Sequence, residues 1–426
     1  MLQAIQVGRK ALADYASIIE RGLADEIREL AEPLAGARVL HLSSTAFGGG
    51  VAEIMYALIP LMRDVGLDVE WRVMHGEPEF FDVTKAIHNG LQGAEKTLSE
   101  ADKATFERYN VLNAERLDGT YDFVVIHDPQ PAAIARLAPD AGRHWVWRCH
   151  IDISTPNPAV LGFLLPNLSD YAAAVFHRRA YVPEGESLPD VVIWPPAIDP
   201  LAPKNMALSG EDAAYILDGF GIDTGRPLMT QISRFDPWKD PVGVIDAFRI
   251  TREGVPGLQL ALVGSMAHDD PEGWDFYNAT VDYAGEDADI HILSNLNNVG
   301  AVEVNAFQVA SEVVVQKSIR EGFGLTVTEA LWKGKPTVAG RVGGIVDQIA
   351  HGETGYLVAS PEECAAACLE VFEDPEEARA MALRGKEYVR RRFLMPRLLR
   401  DWVSLFARLE LDELGTAQGT RSARGA

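Results

Sequence analysis

The apolar positions of this chain fall in short unbroken runs, not in alternating ones. In the first half they are 37–44 "ARVLHLSS", 67–75 "LDVEWRVMH", 121–128 "YDFVVIHD", 144–150 "HWVWRCH", 172–177 "AAAVFH" and 190–196 "DVVIWPP". In the second half they are 227–234 "PLMTQISR", 258–264 "LQLALVG", 289–295 "DIHILSN", 311–318 "SEVVVQKS", 335–341 "KPTVAGR" and 355–358 "GYLV". Runs of this length, rich in Val, Ile and Leu, predict strands buried on both faces. Segments of helical period separate them, at 51–65 and in "FDVTKAIHNGLQG". Strands alternating with helices imply parallel sheets covered on both sides, the α/β class. A Pro-rich stretch, "WPPAIDPLAPKN" (194–205), reads as a linker. The expectation is therefore two doubly wound Rossmann-like domains facing a deep cleft. They span 1–203, with a helical N-terminal extension, and 204–393. The periodic block "FLMPRLLRDWVSLFARLELDEL" predicts a helix over 394–412 that packs back toward the first domain. The small polar residues of 413–426 read as a disordered tail.

Composition narrows the function classes. The chain has 426 residues, 47% apolar and 24% charged, which is ordinary for a globular protein. A formal net charge of −23 argues against nucleic acid or an anionic membrane as partner. No apolar run is long enough to span a membrane, and the N-terminal segment lacks the apolar block of a signal peptide, so a cytoplasmic protein is expected. Cys149, Cys364 and Cys368 form no metal-binding spacing and read as packing residues. No dense carboxylate cluster marks a metal site, although Mg²⁺ can accompany a diphosphate.

In doubly wound sheets ligands bind beyond the carboxyl ends of the strands, and there the candidate chemistry lies. "SSTAFGGGVAEI" places Gly48, Gly49 and Gly50 before a helix, where backbone amides can approach an anion, or simply make a tight turn. "IHDPQP" carries Asp128 and Gln130, and "WRCHIDIS" carries His150 and Asp152, all able to bond sugar hydroxyls. "QISRFDPWKD" sets Arg234 and Lys239 around a turn, two cations suited to a diphosphate in an acidic chain. "SIREGFGLTVTEALWKGKP" holds Glu321 in a turn and Glu329 in the helix that follows. A carboxylate suits a diol because it accepts two bonds. The amides of Gly322, Phe323 and Gly324 can donate to the same sugar, and those of Leu325 and Thr326 to a phosphate. The two glutamates thus bracket a nucleotide sugar, Glu321 on the hexose and Glu329 on the ribose.

"REGFGLTVTEA" resembles the Glu-x7-Glu motif of retaining glycosyltransferases with the two-Rossmann-domain (GT-B) fold of the GT4 type. "SSTAFGGGVAEI", "GEPEFFDVTKAIHNGLQG", "HDPQPAA", "WRCHIDIS", "QISRFDPWKD" and "VGSMAHDDPEGW" resemble the trehalose glycosyltransferring synthases, from about 37 to 393. That resemblance implies a hexosyltransferase forming α,α-trehalose from a nucleotide-diphosphate glucose and free glucose, with retention and in a reversible reaction. It implies that Arg234 and Lys239 neutralise the diphosphate, that Glu321 holds donor-glucose hydroxyls and Glu329 the ribose, and that the 48–50 loop approaches the donor. His150 and Asp152 then contact glucose, while Asp128, Gln130, Lys85 and Asn89 shape the acceptor pocket. No tightly bound cofactor is implied. Trehalose phosphorylase, using glucose 1-phosphate, shares much of the pattern; a nucleotide-sugar epimerase and a catalytically silent sensor are the readings outside transfer chemistry. The base, the dominant direction and the oligomeric state stay open, a homodimer being common for an acidic enzyme of this size.

Overall fold

The computed structural model describes residues 2–47, 49–185, 188–266 and 271–423, with the side chains of 271–272 and 414–423 outside the description. The chain divides into two compact units. Unit 1 comprises Met1–Ala197 and Met395–Ala426, and unit 2 comprises Ile198–Leu394.

Among its described residues unit 1 is built on seven strands: β1 (Gln3–Ala4), β2 (Arg38–Ser43), β3 (Asp68–Val73), β4 (Tyr121–His127), β5 (Gly142–Arg148), β6 (Ala173–Phe176) and β7 (Asp190–Ile193). Their order is β1-β3-β2-β4-β5-β6-β7. All neighbours are parallel except β1, which pairs antiparallel with β3 through Gln3 and Val73. The expected helical extension therefore begins as an edge strand, followed by a 3-10 turn (Leu12–Tyr15) and a helix (Leu23–Ala31). Leu40, Leu42, Val124, Ile126, Trp147 and Phe176 join Phe80, Ile87 and Phe106 from the helices Pro78–Leu91 and Glu100–Glu115 in one core.

Among its described residues unit 2 has six parallel strands: β8 (Leu228–Ile232), β9 (Gln259–Gly264), β10 (Ile290–Ser294), β11 (Val313–Gln316), β12 (Thr337–Gly340) and β13 (Tyr356–Val358). Their order, β10-β9-β8-β11-β12-β13, is that of a dinucleotide-binding sheet. Successive residues of β8 feed opposite cores. Met229 packs with Leu260, Leu262, Val315, Phe248 and Cys368, while Leu228 packs with Ala261, Val263, Phe307 and Leu217. This two-sided burial is why the strands read as continuous apolar runs and not as alternating ones.

The helix Met395–Ala423 belongs to unit 1. Leu398, Leu399, Trp402, Val403, Phe406 and Leu409 recur at helical spacing and are buried. Phe406 stacks on Phe123 of β4 with centroids 4.4 Å apart, and Trp402 meets Trp194 edge to face. Its backbone stays helical past residue 413, where the composition suggested a disordered tail.

The Pro-rich stretch is not a loose tether. The division falls between Ala197 and Ile198, not at 203/204. In unit 1 Arg397 donates to the carbonyls of Pro195 and Pro196 at 2.8 and 3.0 Å. In unit 2 Ile198 bridges to Leu394, and Asn205 is buried, with its carbonyl accepting from Trp332 Nε1 at 3.2 Å.

Because Phe406 fills the core beside β4, Phe406→Ala should destabilise unit 1 by about 3–5 kcal/mol. Chemical denaturation followed by circular dichroism checks this; a loss below about 1 kcal/mol would show that the helix is not integral to that core.

Candidate active site

In unit 2 the strand order reverses between β8 and β11, so the crossovers from these two neighbours leave in opposite directions. Such a switch point opens a crevice outside the carboxyl ends of both strands. The loop after β8 carries Arg234 and Lys239, and the loop after β11 carries Ser318, Glu321 and the glycines before the helix Leu325–Trp332. Two motifs separated by about eighty residues of sequence thus meet here.

Their meeting is direct. Lys239 Nζ lies 2.6 Å from Glu321 Oε2, with side chains 15% and 12% exposed. Ser318 Oγ donates to the same oxygen at 3.4 Å, and Gln316 Nε2 donates to Ser318 Oγ at 3.2 Å. Arg234 is 65% exposed and pairs with Asp236 at 3.0 Å. Burial raises the Asp236 carboxyl above its usual range, and Lys239 and then Arg234 oppose that rise.

The loops are held by backbone geometry. Asp236 accepts from Trp238 N at 3.0 Å and shapes the turn that ends in Lys239. Asp240, in the left-handed region at φ 49°, caps the helix Pro241–Gly254 and is gripped by the buried Lys317. Gly340 of β12 passes so close that a Cβ there would sit 1.9 Å from Ser318 O. Gly324, at φ 86°, starts the helix Leu325–Trp332, and a Cβ on it would meet Glu321 Cγ at 3.1 Å. Gln348 donates to Phe323 O and accepts from Thr328 Oγ1 at 2.6 Å, fixing the Gly322–Phe323–Gly324 bend against the first turn that holds Leu325 and Thr326. First-turn amides lack intrahelical acceptors, so this end of the helix suits an anion.

Glu329 differs from Glu321. Its side chain is 0% exposed, and its Oε1 is 3.1 Å from Lys204 Nζ. Lys333, which donates to Asn205 Oδ1 at 3.1 Å, lies close enough to interact with it. Burial pushes the Lys333 ammonium down to about 8 while Glu329 opposes the shift. The acid assigned to a ribose is thus held inside the protein by a lysine from the Pro-rich stretch.

In unit 1 the order reverses between β2 and β4. Gly49 and Gly50 open the helix Gly49–Asp64 after β2, with Gly49 at φ 79°, and Gly48 lies outside the described residues. So do 267–270 of the "VGSMAHDDPEGW" segment. After β4 comes Asp128, at φ 64° a non-glycine in the left-handed region, which aspartate tolerates better than most residues. Its Oδ1 accepts from His150 N at 2.7 Å. Burial pushes the Asp128 carboxyl up to about 7, against the His150 N–H and the Arg148 charge. His127 joins the half-buried His150 to His41 in a line of imidazoles, of which His41 and His127 are buried. Gln130 contributes a buried side-chain oxygen with no partner among the described residues, while its backbone oxygen accepts from Asn110 at 3.1 Å. Asp152 accepts from Ser154 N and Oγ at 2.9 and 2.6 Å, which makes it a turn-former as well as a candidate ligand. Lys85 and Asn89 sit on the helix Pro78–Leu91, Lys85 exposed and Asn89 half-buried. Asp128, His127 and His150 form one network.

Sequence reasoning passed over Asp236, Ser318, Lys317 and Lys204. Lys317, in "VVVQKS", had a visible signal: a lysine at the end of an apolar strand needs an acid partner. Lys204, inside a Pro-rich stretch, had none. Among the described residues, His144, Glu410 and Glu413 have the ligand types of a metal site, but Arg143 already pairs with both glutamates, and they lie at the amino end of β5.

Two doubly wound units, each with polar groups at its order reversal, and a Lys–Glu pair beside a helix amino end define a GT-B glycosyltransferase. Solved structures agree on the fold. An α,α-trehalose 6-phosphate synthase from Burkholderia multivorans matches with TM-score 0.70 at 15% identity, over 90% of this chain and 98% of that one. Anabaena HepE, solved in complex with UDP-glucose, matches with TM-score 0.62 at 17% identity, over 88% and 100%. Residues 41–183 match the family model "Trehalose synthase, N-terminal domain", and 216–388 match "Glycosyl transferases group 1". The chain is 57% identical to trehalose synthase of Rubrobacter xylanophilus over 96% of its own length and 99% of that protein. Trehalose phosphorylase of Pleurotus pulmonarius is 28% identical, over 84% of this chain and 55% of that one. This chain belongs to the trehalose synthase family of group 1 glycosyltransferases. No helix among the described residues is long and apolar enough to cross a membrane.

The raised Asp128 sets a pH signature. A carboxyl that titrates near 7 when folded and near 4 when unfolded favours the folded state fully below about pH 4 and loses that contribution as pH rises through 7. Asp128→Asn keeps the left-handed backbone and the acceptor for His150 N, and it removes the titration. Between pH 5.5 and 8 the parent should lose roughly 2 kcal/mol more stability than the variant, read from urea midpoints. Equal slopes would show that Asp128 stays ionised throughout.

Proposed function

We propose that this enzyme transfers glucose from a nucleotide-diphosphate glucose to the anomeric hydroxyl of free glucose, forming α,α-trehalose with retention. The observation that carries this reading is the 57% identity to a trehalose synthase over nearly the full length of both chains. The geometry of unit 2 supports a diphosphate-linked donor. Arg234 and Lys239 bring positive charge to the switch point, and the first turn of the helix Leu325–Trp332 adds amide donors. Glu321, aligned by Lys239 and Ser318, accepts from donor hydroxyls. The strand ends of unit 1, with Asp128, Gln130 and His150, take the acceptor.

Retention follows from front-face attack. The bond from the donor anomeric carbon to the diphosphate oxygen breaks, the acceptor oxygen bonds to the same face of that carbon, and the acceptor proton passes to the departing diphosphate. The protein then works by positioning and by stabilising charge on the leaving group. Glu321 is paired with Lys239 and serves the donor hydroxyls, which suits alignment and not covalent attack on the sugar.

One observation favours a second reading. Glu329 is enclosed and ion-paired with Lys204, so its role toward a ribose, which separates this reaction from a phosphorylase, requires that pair to open. A phosphorylase using glucose 1-phosphate needs no ribose site.

Incubation with glucose and each nucleotide-glucose, or with glucose 1-phosphate, with and without Mg²⁺, distinguishes the two when products are identified by NMR. Trehalose from a nucleotide-glucose alone is expected; trehalose from glucose 1-phosphate alone selects the phosphorylase. Arg234→Ala and Lys239→Ala should each lower kcat by about 10²–10³, the cost of losing one donor to a developing oxyanion, with smaller change in the KM for glucose. Unchanged kcat in both variants removes the diphosphate role.

A further inference from the structure

His41, His127 and His150 form a file of imidazoles across unit 1. His41 lies within β2, His127 ends β4, and His150 follows β5, three adjacent strands. His41 Nδ1 is 3.0 Å from His127 Nε2, and His127 Nδ1 is 2.9 Å from His150 Nε2. The rings stack with centroids 5.3 and 5.2 Å apart and interplanar angles of 27° and 19°. Burial drives all three far below the ordinary histidine range, so the rings are neutral near pH 7.

A neutral imidazole has one N–H and one lone pair. Three such rings joined Nδ1 to Nε2 therefore have two proton orders, all on Nδ1 or all on Nε2. The buried end decides between them. His41 Nε2 has no hydrogen-bond partner among the described residues. Its ring also packs near Trp402, at 5.7 Å and 77°, but an aromatic ring is at most a second-order acceptor. With the protons on Nε2, that atom is a buried N–H without an acceptor; with the protons on Nδ1, it is only a bare lone pair. Buried orphan donors are rarer than under-used acceptors, so the second order wins.

We propose that His41 and His127 are positioning residues that fix the tautomer of His150, making its Nδ1 a standing hydrogen-bond donor at the carboxyl end of β5. Nδ1 of His150 has no hydrogen bond to a described residue, and the His150 backbone is anchored by Asp128. A donor with no alternative tautomer selects an acceptor atom, here a hydroxyl oxygen of a sugar. It cannot take a proton from an attacking hydroxyl, which agrees with a reaction in which the leaving phosphate does so. The ligand assignment rests on the reading of unit 1 as the acceptor side; the proton order does not.

Long-range ¹H–¹⁵N spectra of the full chain, labelled at histidine, report each tautomer directly at pH 7. His41→Phe, His127→Phe and His150→Phe assign the signals. All three rings should carry the proton on Nδ1; an Nε2–H on His150, or a doubly protonated ring in the file, overturns the proposal whether or not the enzyme proves to make trehalose. In folded His127→Phe, His150 should lose its single tautomer, and the KM for glucose should rise about tenfold with that for the nucleotide sugar unchanged. A His127→Phe variant whose His150 keeps a lone Nδ1–H signal and whose glucose KM is unaltered rejects the positioning role.

Discussion

Everything at the candidate site depends on the parallel pairing of β8 with β11. Val313 lies beside Met229, and the strands that follow each of them run to opposite edges of the sheet. Two crossovers leaving in opposite directions cannot both cover the gap above these strands, so that gap stays open for side chains. Lys239 and Glu321 are far apart in sequence and 2.6 Å apart in space for this reason. The glycine at Gly340 tightens the arrangement, since only a residue without a side chain lets β12 approach Ser318 so closely.

Two lysine–glutamate pairs in unit 2 show how burial separates groups of the same chemistry. Lys239–Glu321 lies at the strand ends, partly open to solvent, beside serine and glycine. In Lys204–Glu329 the carboxylate is enclosed, and removing the lysine would strip a buried charge of its ion pair, a costly event. The first pair keeps both side chains partly accessible to solvent. The second ties the start of unit 2 to the helix carrying Glu329.

Much of this was legible in the amino-acid pattern. Among the described residues, all twelve parallel strands appear as apolar runs because both faces of each sheet are covered. β1 does not, because a short edge strand offers neither a run nor an alternation. The helix Glu100–Glu115 was also invisible: it buries Asn110 and Asn113 beside Phe106 and Tyr109, so its inner face is partly polar. Asn113 earns its place by bonding both the N–H and the carbonyl of His75. At the site, motif residues could be named from spacing and from the family resemblance, but their pairings could not. Nothing local tells Lys204 from any surface lysine in a Pro-rich stretch, or shows that His41, inside an apolar strand, touches His127; both contacts are made by topology.

The return of the helix Met395–Ala423 to unit 1 has a consequence for biosynthesis. Trp402 and Phe406 plug a core whose sheet is translated long before them. On the ribosome, unit 2 emerges whole and can collapse in one step, whereas unit 1 must wait, its apolar surface beside β4 uncovered, until the helix Met395–Ala423 has followed. The sheet of unit 1 is thus made before that of unit 2 and sealed after it, which leaves its apolar surface open to misassembly during elongation.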